Sequence, residues 1–465
     1  MKIRNCSLSL LFLVLLASCG SINPTAPAIV VEENYVIPEA PVSVIKVPIK
    51  INLKPYFDAT ENELDKVFRG NEQTCEGVSV KYKFVRSPIK FKGTGTKLSF
   101  DVDGKYSLWL NYCAACTDLF ASEPYCLTSR IYVTCGVDEP MRKIHVGYTT
   151  EIGVGKDYKL KSTTKLKTVK AKSPCKVSVF DYDATSELEK ELKVVLKEVE
   201  KDIDKEISAI SLKAEINEAW KILSAPTDLE GYGFLELNPQ SIAMGKIRYV
   251  GDTAYFNAIL NAKPTILSAK SGKPAKTLPN MYTYKDRNGF DISMDIFTNY
   301  DSLTSILTRS LSGMKIDLKG KEVIFGEVSV HGASNKQLHI KVDFSGTKSG
   351  TLYFTGTPVF EKAEQHISFP DLTFDLETES ALLKGAKWMF DKKITEVLRA
   401  KASMDLKPYL ATLKTELNKN LNMELDKGIF MSGQVKGIDI RFIQPTIDQL
   451  HIRIHSIGKL AIKMD

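Results

Sequence analysis

The chain repeats one order of elements, and this repetition constrains the fold more than any single motif does. Each copy opens on a segment of alternating apolar and polar residues, at 47–53 and at 290–296. A short helical pattern follows in each copy, at 63–68 and at 303–311. The composition, with 43% hydrophobic and 26% charged residues, is that of an ordinary globular protein. The sequence therefore predicts two related units in tandem.

Hairpin patterns come next in both copies. In the first copy the alternation over 98–110 contains Asp103 followed by Gly104, and in the second it covers 338–344 and returns at 352–354. Strict alternation indicates a sheet with one buried and one solvated face, and Asp-Gly is a strong hairpin signal. We therefore expect antiparallel sheet in both copies and a turn at Asp103 and Gly104.

Each copy then enters a long segment whose apolar residues recur every three or four positions, at 186–223 and at 380–425. This spacing predicts an amphipathic helix with one apolar stripe. Pro408 is expected to kink or divide the second helix. Alternating strands close the two copies, at 254–260 and at 450–464.

A long amphipathic helix has to bury its stripe, and a sheet with one apolar face offers the surface. The predicted fold is therefore α+β, with two tandem repeats, each a long amphipathic helix wrapped by a curved antiparallel β-sheet, in an elongated molecule. The first module is placed at 42–270 and the second at 285–465, with a linker at 271–284. The first copy is the longer one, which predicts an insertion within it.

Six of the eight cysteines lie in that insertion, and an even set in an exported protein is typical of disulfides. The sequence leaves their pairing open. Cys113 and Cys116 also have the spacing of a redox or zinc pair, but they follow a strand-like run and no histidine has matching spacing. Disulfide bonds are therefore the favoured interpretation for all six, which are Cys75, Cys113, Cys116, Cys126, Cys135 and Cys175.

The first residues have the pattern of an export signal. Lys2 and Arg4 precede an apolar run at 8–16, and small residues lead to Cys19. The run is too short to span a bilayer, which needs about 20 apolar residues. The end of the segment, 16–19, resembles a bacterial lipobox, which implies cleavage before Cys19 and lipidation of its thiol.

On this interpretation residues 1–18 are a lipoprotein signal peptide, and residues 19–41 are the lipidated cysteine and an extended, proline-containing tether. The mature protein would be attached to a membrane through acyl chains such as palmitate. Gly20 stands where an aspartate would be a retention signal, so sorting by analogy gives the outer membrane, on its periplasmic side.

Three further segments carry a resemblance over roughly 42–465. They are the opening strand 44–51, the turn at 237–241 and the closing segment 437–464. With the lipobox, they resemble the bacterial lipoprotein family known as domain of unknown function 4403. The inferred architecture also resembles tandem tubular lipid-binding (TULIP) modules, in which a helix lies inside a strongly bent sheet. The resemblance implies a fold, and it assigns no catalytic residue.

No motif in the sequence predicts catalysis, a metal site or a cofactor. His451 and His455 share local spacing, but they alternate with apolar residues on a strand and are expected on its solvent side. Ser345 and Lys348 match the S-x-x-K spacing of penicillin-binding proteins, but they fall in a predicted hairpin loop. The net charge of +7 is too mild over 465 residues to indicate a nucleic-acid partner.

The segment 156–172 contains seven lysines, and two interpretations remain open. Lysines on an exposed edge strand prevent pairing with another chain, which is the favoured interpretation because the run alternates like a strand. Attraction to anionic headgroups is the functional alternative.

These patterns favour a non-enzymatic, membrane-anchored envelope protein that binds or carries lipids or other hydrophobic molecules. The alternative is a structural or interaction scaffold of the envelope with solid-core modules, and an undetected hydrolase ranks third. Protein partners and ligand identity are left open. If the modules bind acyl chains, the helices line the channel; the predicted lining residues are Leu192, Val195, Val199 and Ile203 in the first half and Leu410, Leu413 and Leu417 in the second.

Overall fold

The computed structural model describes residues 21–28, 38–117, 123–177, 182–229, 233–274, 276–287, 289–333, 336–389 and 391–464. Sheets dominate this mixed fold. Within the described residues, one continuous 18-stranded sheet covers the first half and the centre of the molecule, and a five-stranded sheet builds the second half. The predicted α+β class is thus confirmed at the level of its composition.

The strands follow in chain order. Those of the first half are β1 Ser43–Asn52, β2 Val67–Glu72, β3 Gly77–Arg86, β4 Lys90–Gly95, β5 Lys97–Cys113, β6 Cys116–Thr117, β7 Tyr125–Cys126, β8 Ile131–Cys135, β9 Arg142–Val154, β10 Leu160–Ala171, β11 Thr227–Asp228, β12 Phe234–Glu236, β13 Pro239–Met244, β14 Arg248–Gly251, β15 Thr253–Ala262 and β16 Thr265–Leu267. Those of the second half are β17 Phe290–Thr298, β18 Lys315–Asp317, β19 Glu322–Gly332, β20 Leu338–Gly346, β21 Gly350–Gly356, β22 Val359–Glu361, β23 His366–Ser368, β24 Thr373–Phe374, β25 Met404–Asp405, β26 Met423–Asp426, β27 Ile429–Pro445 and β28 Leu450–Met464.

Seven α-helices and one short 3-10 helix lie among the described residues. They are α1 Lys54–Glu63, α2 Thr185–Ala209, α3 Lys213–Ser224, α4 Asp301–Leu311, α5 Leu376–Gly385, the 3-10 helix Lys387–Met389, α6 Lys392–Ala402 and α7 Lys407–Asn420.

Strand β5 organises the sheet of the first half. One of its edges pairs with β4 and β3, and the other pairs with β9 and β8. Strand β10 pairs with the outer edge of β9 and ends this part of the sheet. All these pairings are antiparallel, as the alternation predicts.

The central sheet joins the two ends of the sequence. Strand β1 pairs along its whole length with β15, and its other edge contacts β17 at Val44 and Ile45. At Ile49 to Ile51 the same edge pairs in parallel with β28. Strand β28 lies between β17 on one edge and β27 on the other. The two halves therefore share one sheet through their first and last strands.

The second half has its own densely filled core. Strands β18, β19, β20, β21 and β24 form the five-stranded sheet, and helices α4, α5 and α6 contribute side chains to the core that it encloses. Val323, Val342, Leu352, Phe354 and Leu382 are all completely buried in it. The predicted hairpin from 338 to 354 is confirmed as β20 and β21.

The predicted long helices are each divided. Segment 186–223 forms α2 and α3, which are separated at Ile210 to Leu212. Segment 380–425 forms α5, the 3-10 helix, α6, α7 and two short strands, so the prediction of one long helix there is wrong, although one division does fall beside Pro408, which lies in the first turn of α7. Asp391 explains one break, because its side chain accepts a hydrogen bond from Lys393 N and starts a new helix. The helices of the second half therefore do not form the single long helix that the prediction of two equivalent repeats requires.

Two local predictions in the first half are also wrong. The short helix predicted at 63–68 lies at 54–63 instead, and β2 begins within the predicted range, at Val67. No turn occurs at Asp103 and Gly104, because β5 continues through them. The ring of Phe84 packs where a Cβ of Gly104 would stand, 2.1 Å away, so this glycine permits a close cross-strand contact rather than a turn.

The N-terminal segment is docked rather than free at the residues described. Ile22 N donates to Ser349 O at 3.0 Å, and Thr351 N donates to Ile22 O at 2.8 Å. The Ile22 side chain is 5% exposed and belongs to the core of the second half. The extended tether predicted at 19–41 is therefore fastened to the body at this point, while Cys19 itself lies outside the described residues.

Candidate functional site

The inner face of the first-half sheet is apolar along the whole of β5. Residues at even positions from Leu98 to Tyr112 point to one face and are apolar or aromatic except for Gly104, whereas the odd positions are mostly polar. The sheet curls around this face. A continuous apolar surface therefore lines the inside of the first half.

The name apolar groove is used below for the cluster of apolar side chains that lies on this face between β3 and α2. Its buried floor comes from β5, β9 and β10, and its two sides come from β3 with the end of β5 and from α2. All these side chains pack together, but the side residues are only partly buried. The floor is formed by Tyr106, Leu108, Ile144 and Val169, and the sides by Val80, Tyr82 and Leu110 on the sheet and Leu188, Leu192 and Leu196 on α2.

The groove is open at the end of the sheet beyond Leu110. Val78, Tyr112 and Ile131 are directly opposite one another on β3, β5 and β8. They are 50%, 44% and 53% exposed, respectively. This row continues the apolar face into solvent, so a ligand could enter or leave there without displacing an element of the fold.

The other end of the inner face is closed by aromatic side chains. Phe57 on α1 stacks on Phe91 with ring centroids 4.4 Å apart, and Phe100 lies 5.4 Å from Tyr148. Phe91 and Phe100 connect the two pairs at 6.4 Å. Contacts of this kind fix aromatic rings in position. Buried and partly buried aromatic rings therefore cover one end of the inner face, and exposed apolar side chains mark the other.

Carboxylates fasten α2 along the free edge of β10. Asp204 accepts hydrogen bonds from Thr164 N at 3.1 Å, Thr164 Oγ1 at 2.7 Å and Ser162 Oγ at 2.6 Å. Glu200 accepts from Leu166 N at 2.7 Å, and Glu189 accepts from Ala171 N at 2.7 Å. Burial alone would raise the pKa of Asp204, but the hydrogen bonds from Ser162 and Thr164 outweigh it and keep the pKa below its usual value.

The packing of α2 on β10 bears on the two interpretations of the lysine-rich segment 156–172. The lysines at 161, 165, 167 and 170 are exposed on β10, an edge strand whose unpaired N–H groups are satisfied by the helix. The segment forms an edge strand, in agreement with the interpretation that its lysines prevent pairing with another chain. The edge is also covered by α2.

One buried hydroxyl at the floor of the groove is unpartnered. Tyr106 Oη has no hydrogen-bond partner among the described residues, and burial raises the pKa of Tyr106 to about 12. The phenol therefore stays protonated and can donate. Arg142, Glu189 and Asp183 lie close enough to affect the pKa of this phenol, so the floor is polar at this point.

The six predicted cysteines form three disulfides, so their expected oxidation is confirmed. The pairs are Cys75–Cys116, Cys113–Cys126 and Cys135–Cys175. Cys135–Cys175 joins the floor of the groove to the segment leading into α2. The other two pairs lie at the open end, since Cys113 ends β5 next to Tyr112.

The predicted lining residues occupy different surroundings. In the first half Leu192, Val199 and Ile203 are partly buried on α2, whereas Val195 is 58% exposed. In the second half α7 packs against β27 rather than inside the five-stranded sheet. Of its residues, Leu410 and Leu417 are partly buried and Leu413 is 38% exposed.

A second concave site, of about 380 Å³, lies where the N-terminal segment meets the central sheet. It is lined by residues of the β1 entry, β17, β27 and β28: Pro41, Val42, Asp291, Ser293, Arg441, Phe442, Arg453 and His455. Its charged groups neutralise one another. Arg453 donates to both oxygens of Asp295 at 2.6 and 2.9 Å and also to the carbonyl of Pro38 at 2.6 Å.

The prediction that His451 faces solvent is wrong. Its ring is fully buried, because it stacks on Phe297 at 4.5 Å, meets the Phe442 ring edge-on at 4.8 Å and lies 3.0 Å from Asp295 Oδ1. Burial alone would raise the pKa of Asp295, but the neighbouring His451 and Arg453 keep it below its usual value.

The histidine of the cleft is engaged on both sides of its ring. Ser293 lies opposite His455 on the neighbouring strand. His455 Nε2 lies 2.8 Å from Asp291 Oδ1, and Arg441 Nη2 contacts Nδ1, so both ring nitrogens are occupied. A general base needs a free ring nitrogen within reach of the nucleophile. Among the described residues, no cluster of three or more His, Cys, Asp or Glu side chains could bind a metal ion.

These features define a class: a sheet-dominated α+β protein whose first half encloses a half-open apolar groove. The chain belongs to the family described as Domain of unknown function (DUF4403), whose family model matches residues 41–464. The resemblance of the sequence to this family is thereby confirmed. No curated protein matches the chain.

Among solved structures, one match is the crystal structure of lipopolysaccharide binding protein. It has 9% sequence identity and a TM-score of 0.22, and the alignment covers 92% of this chain and 99% of that chain. At this TM-score the similarity supports no conclusion about the present chain. Within the described residues, no helix has the length and apolar character needed to cross a bilayer.

Proposed function

We propose that this protein is a non-catalytic, membrane-anchored envelope lipoprotein that binds or carries lipids or other hydrophobic molecules. The observation that carries the proposal is the apolar groove of the first half, whose sides are only partly buried although its floor is sealed. Among the described residues, nine partly buried apolar side chains surround six buried ones there, whereas ten surround 24 in the filled core of the second half. The half-covered apolar surface beside Leu110 and Leu192 is therefore suited to acyl chains.

The attachment and location belong to the same proposal. Cys19 would carry the acyl chains, and the body would face the periplasm from the outer membrane. In this scheme the curved first-half sheet with α2 at its rim acts as a tubular lipid-binding module. The absence of a free base in the cleft around His455 supports a binding role over hydrolysis.

The groove is tested with two valine-to-tryptophan variants on α2. Val199 is partly buried on the groove side, and Val194 is 60% exposed elsewhere on the helix. If the groove holds acyl chains, Val199→Trp should reduce extractable lipid while the melting temperature barely falls, because the indole enters ligand space. Val194→Trp should retain the lipid. Mass spectrometry of lipids co-purified with the full chain gives the readout.

The scaffold alternative makes the opposite prediction for the same variants. In a filled core, the added volume of Val199→Trp costs about 1–3 kcal/mol. A clear drop in melting temperature, with no lipid in the parent protein, would therefore favour a scaffold whose exposed row at Val78, Tyr112 and Ile131 binds a protein.

Attachment is tested by Cys19→Ala. This variant should incorporate no labelled palmitate and should accumulate unprocessed, because the lipobox thiol is gone. Continued incorporation of palmitate would refute the anchor. Digestion of the body by protease on intact cells would contradict the periplasmic orientation.

A further inference from the structure

The N-terminal segment is fixed to the second half only three residues after Cys19. Ile22 bonds to Ser349 and Thr351 through its backbone, and its side chain is inserted in the core. Three residues of extended chain span at most about 10–11 Å. An acyl anchor on Cys19 would therefore hold the turn between β20 and β21 next to the membrane, and it could not act as a long spacer.

Two turns stand side by side at this end of the second half. The β18–β19 turn is a tight one, since Leu318 and Lys321 exchange backbone hydrogen bonds and Lys319 and Gly320 both have positive φ values, of 57° and 83°. The β20–β21 turn is fastened to it, because Thr347 N donates to Glu322 O at 2.8 Å. The two turns and the Ile22 contact thus form one continuous surface.

This surface, called the basic end, carries Lys319, Lys321, Lys348 and Lys387. None of these lysines has a carboxylate partner within the part of the chain that the structure describes. Lys321 Nζ lies 4.9 Å from the ring centre of Trp388. Ammonium groups beside a partly exposed tryptophan are typical of a surface that contacts lipid headgroups.

The carboxylates nearby do not cancel this charge. Asp317 accepts a hydrogen bond from Gly320 N at 3.0 Å, and Asp391 caps α6. Glu322 is 3.4 Å from Lys315. Glu322 is neutralised by Lys315, and the four lysines outnumber Asp317 and Asp391, so the basic end presents an excess of positive charge.

We propose that the basic end is a membrane-docking surface that lies against anionic phospholipid headgroups. The inference rests on the proposed anchor at Cys19, because the short link from Cys19 to Ile22 is what brings this end to the bilayer. This docking fixes the orientation of the molecule, because the second half then faces the membrane. The groove lies in the first half, which does not carry the docking surface.

The test maps lysine acetylation on the full-length protein reconstituted on vesicles of phosphatidylethanolamine with phosphatidylglycerol. Lys319, Lys321 and Lys348 should react about fivefold more slowly on these vesicles than in detergent, and 0.5 M salt (roughly a 4–5 Å Debye length) should relieve part of the protection. Lys161, Lys167 and Lys170 on β10 should react equally in both.

A pair of triple variants provides the matched control. Lys319→Glu, Lys321→Glu and Lys348→Glu together should abolish the protection of Lys387, since the attraction is reversed. The corresponding glutamates at Lys161, Lys167 and Lys170 should leave that protection unchanged. Exposed turns and strand faces tolerate such changes, and circular dichroism would check the fold of both variants.

The intact mass separates this inference from the anchoring proposal. If the protein is acylated at Cys19 and the basic end reacts equally with and without vesicles, the docking surface is refuted while the anchor stands. If no acyl chain is found, the anchor is refuted, and the same acetylation pattern decides for or against the surface: protection on anionic vesicles supports it, and equal reactivity overturns it.

Discussion

Both halves of the molecule are built from strands in which apolar and polar residues alternate. They differ in how completely the apolar face is buried. In the second half, 24 buried residues form one cluster around β19, β20 and β21. In the first half, the corresponding cluster has six buried residues, and half-buried side chains surround it. The difference indicates that alternation determines which face turns inward, while the elements laid over that face determine whether it becomes a filled core or a groove.

The helices that pack on the apolar face of each half explain the difference in burial. Helices α4, α5 and α6 contribute buried side chains to the second half, among them Leu311, Leu382 and Ile394. Helix α2 has no fully buried residue, because its carboxylates bind the edge of β10 and hold it at the rim. Three disulfides occur in the half with the smaller core, where covalent links compensate for limited burial.

The largest expected effect compares one deletion in both halves. Leu352 is completely buried in the second half, and Leu110 is a partly buried side residue of the groove. Leu352→Ala should lower the free energy of unfolding by about 3–4 kcal/mol, and Leu110→Ala by about 1 kcal/mol. Urea unfolding of both variants provides the measurement. Equal losses would show that the first half is as filled as the second.

A smaller effect concerns the fastening of α2. Asp204→Ala removes three hydrogen bonds to β10 and should cost about 2 kcal/mol, whereas Asp202→Ala, on an exposed position of the same helix, should cost less than about 0.5 kcal/mol. Chemical unfolding monitored near β10 would detect the loss. If both variants behaved alike, the carboxylate would not be what holds the helix.

The same contact predicts a pH dependence. The pKa of Asp204 is lower in the folded protein than in the unfolded chain, so its stabilisation is present above the unfolded value of about 3.9 and is lost as the pH falls through the folded value. The stability difference between wild type and Asp204→Asn should therefore shrink below about pH 4. A difference that stays constant down to about pH 2 would contradict this.

The smallest effect on stability is expected at the open end of the groove. Val78→Ser combined with Ile131→Ser should change the melting temperature little, since both side chains are already half exposed. Uptake of a fluorescent fatty acid should nevertheless slow, because the apolar entry becomes polar. Unchanged uptake would place the entry elsewhere.

Local patterns in the sequence predicted the strands well, because alternation depends on neighbours in sequence. Strands β15, β17, β20 and β28 follow the predicted ranges closely. The sequence could not show that Gly104 serves a contact with Phe84 from another strand, so its Asp-Gly pair indicated a turn that does not form. Apolar spacing likewise continued across the helix breaks at Asp391 and Ser403.

The candidate sites depended on contacts between distant residues. His451 is buried because Phe297 and Asp295, more than 150 positions away in sequence, pack against its ring. The stripe on α2 was correctly placed at Leu192, but periodicity could not show that the helix lies at the rim of the sheet, which leaves Val195 exposed. The docking of Ile22 had no sequence signal at all.

The pairing of β1 with β28 also sets an order of assembly. Strand β1 can join β15 once the first half has been delivered, but its contact with Ile462 to Met464 must wait until β28 has emerged. Pairings over such sequence separations form slowly. For a chain threaded through a membrane from its N-terminus, the seam between the halves would thus close last, and a chain that stops before β28 would leave β17, β27 and β1 with unsatisfied edges that chaperones and proteases can recognise.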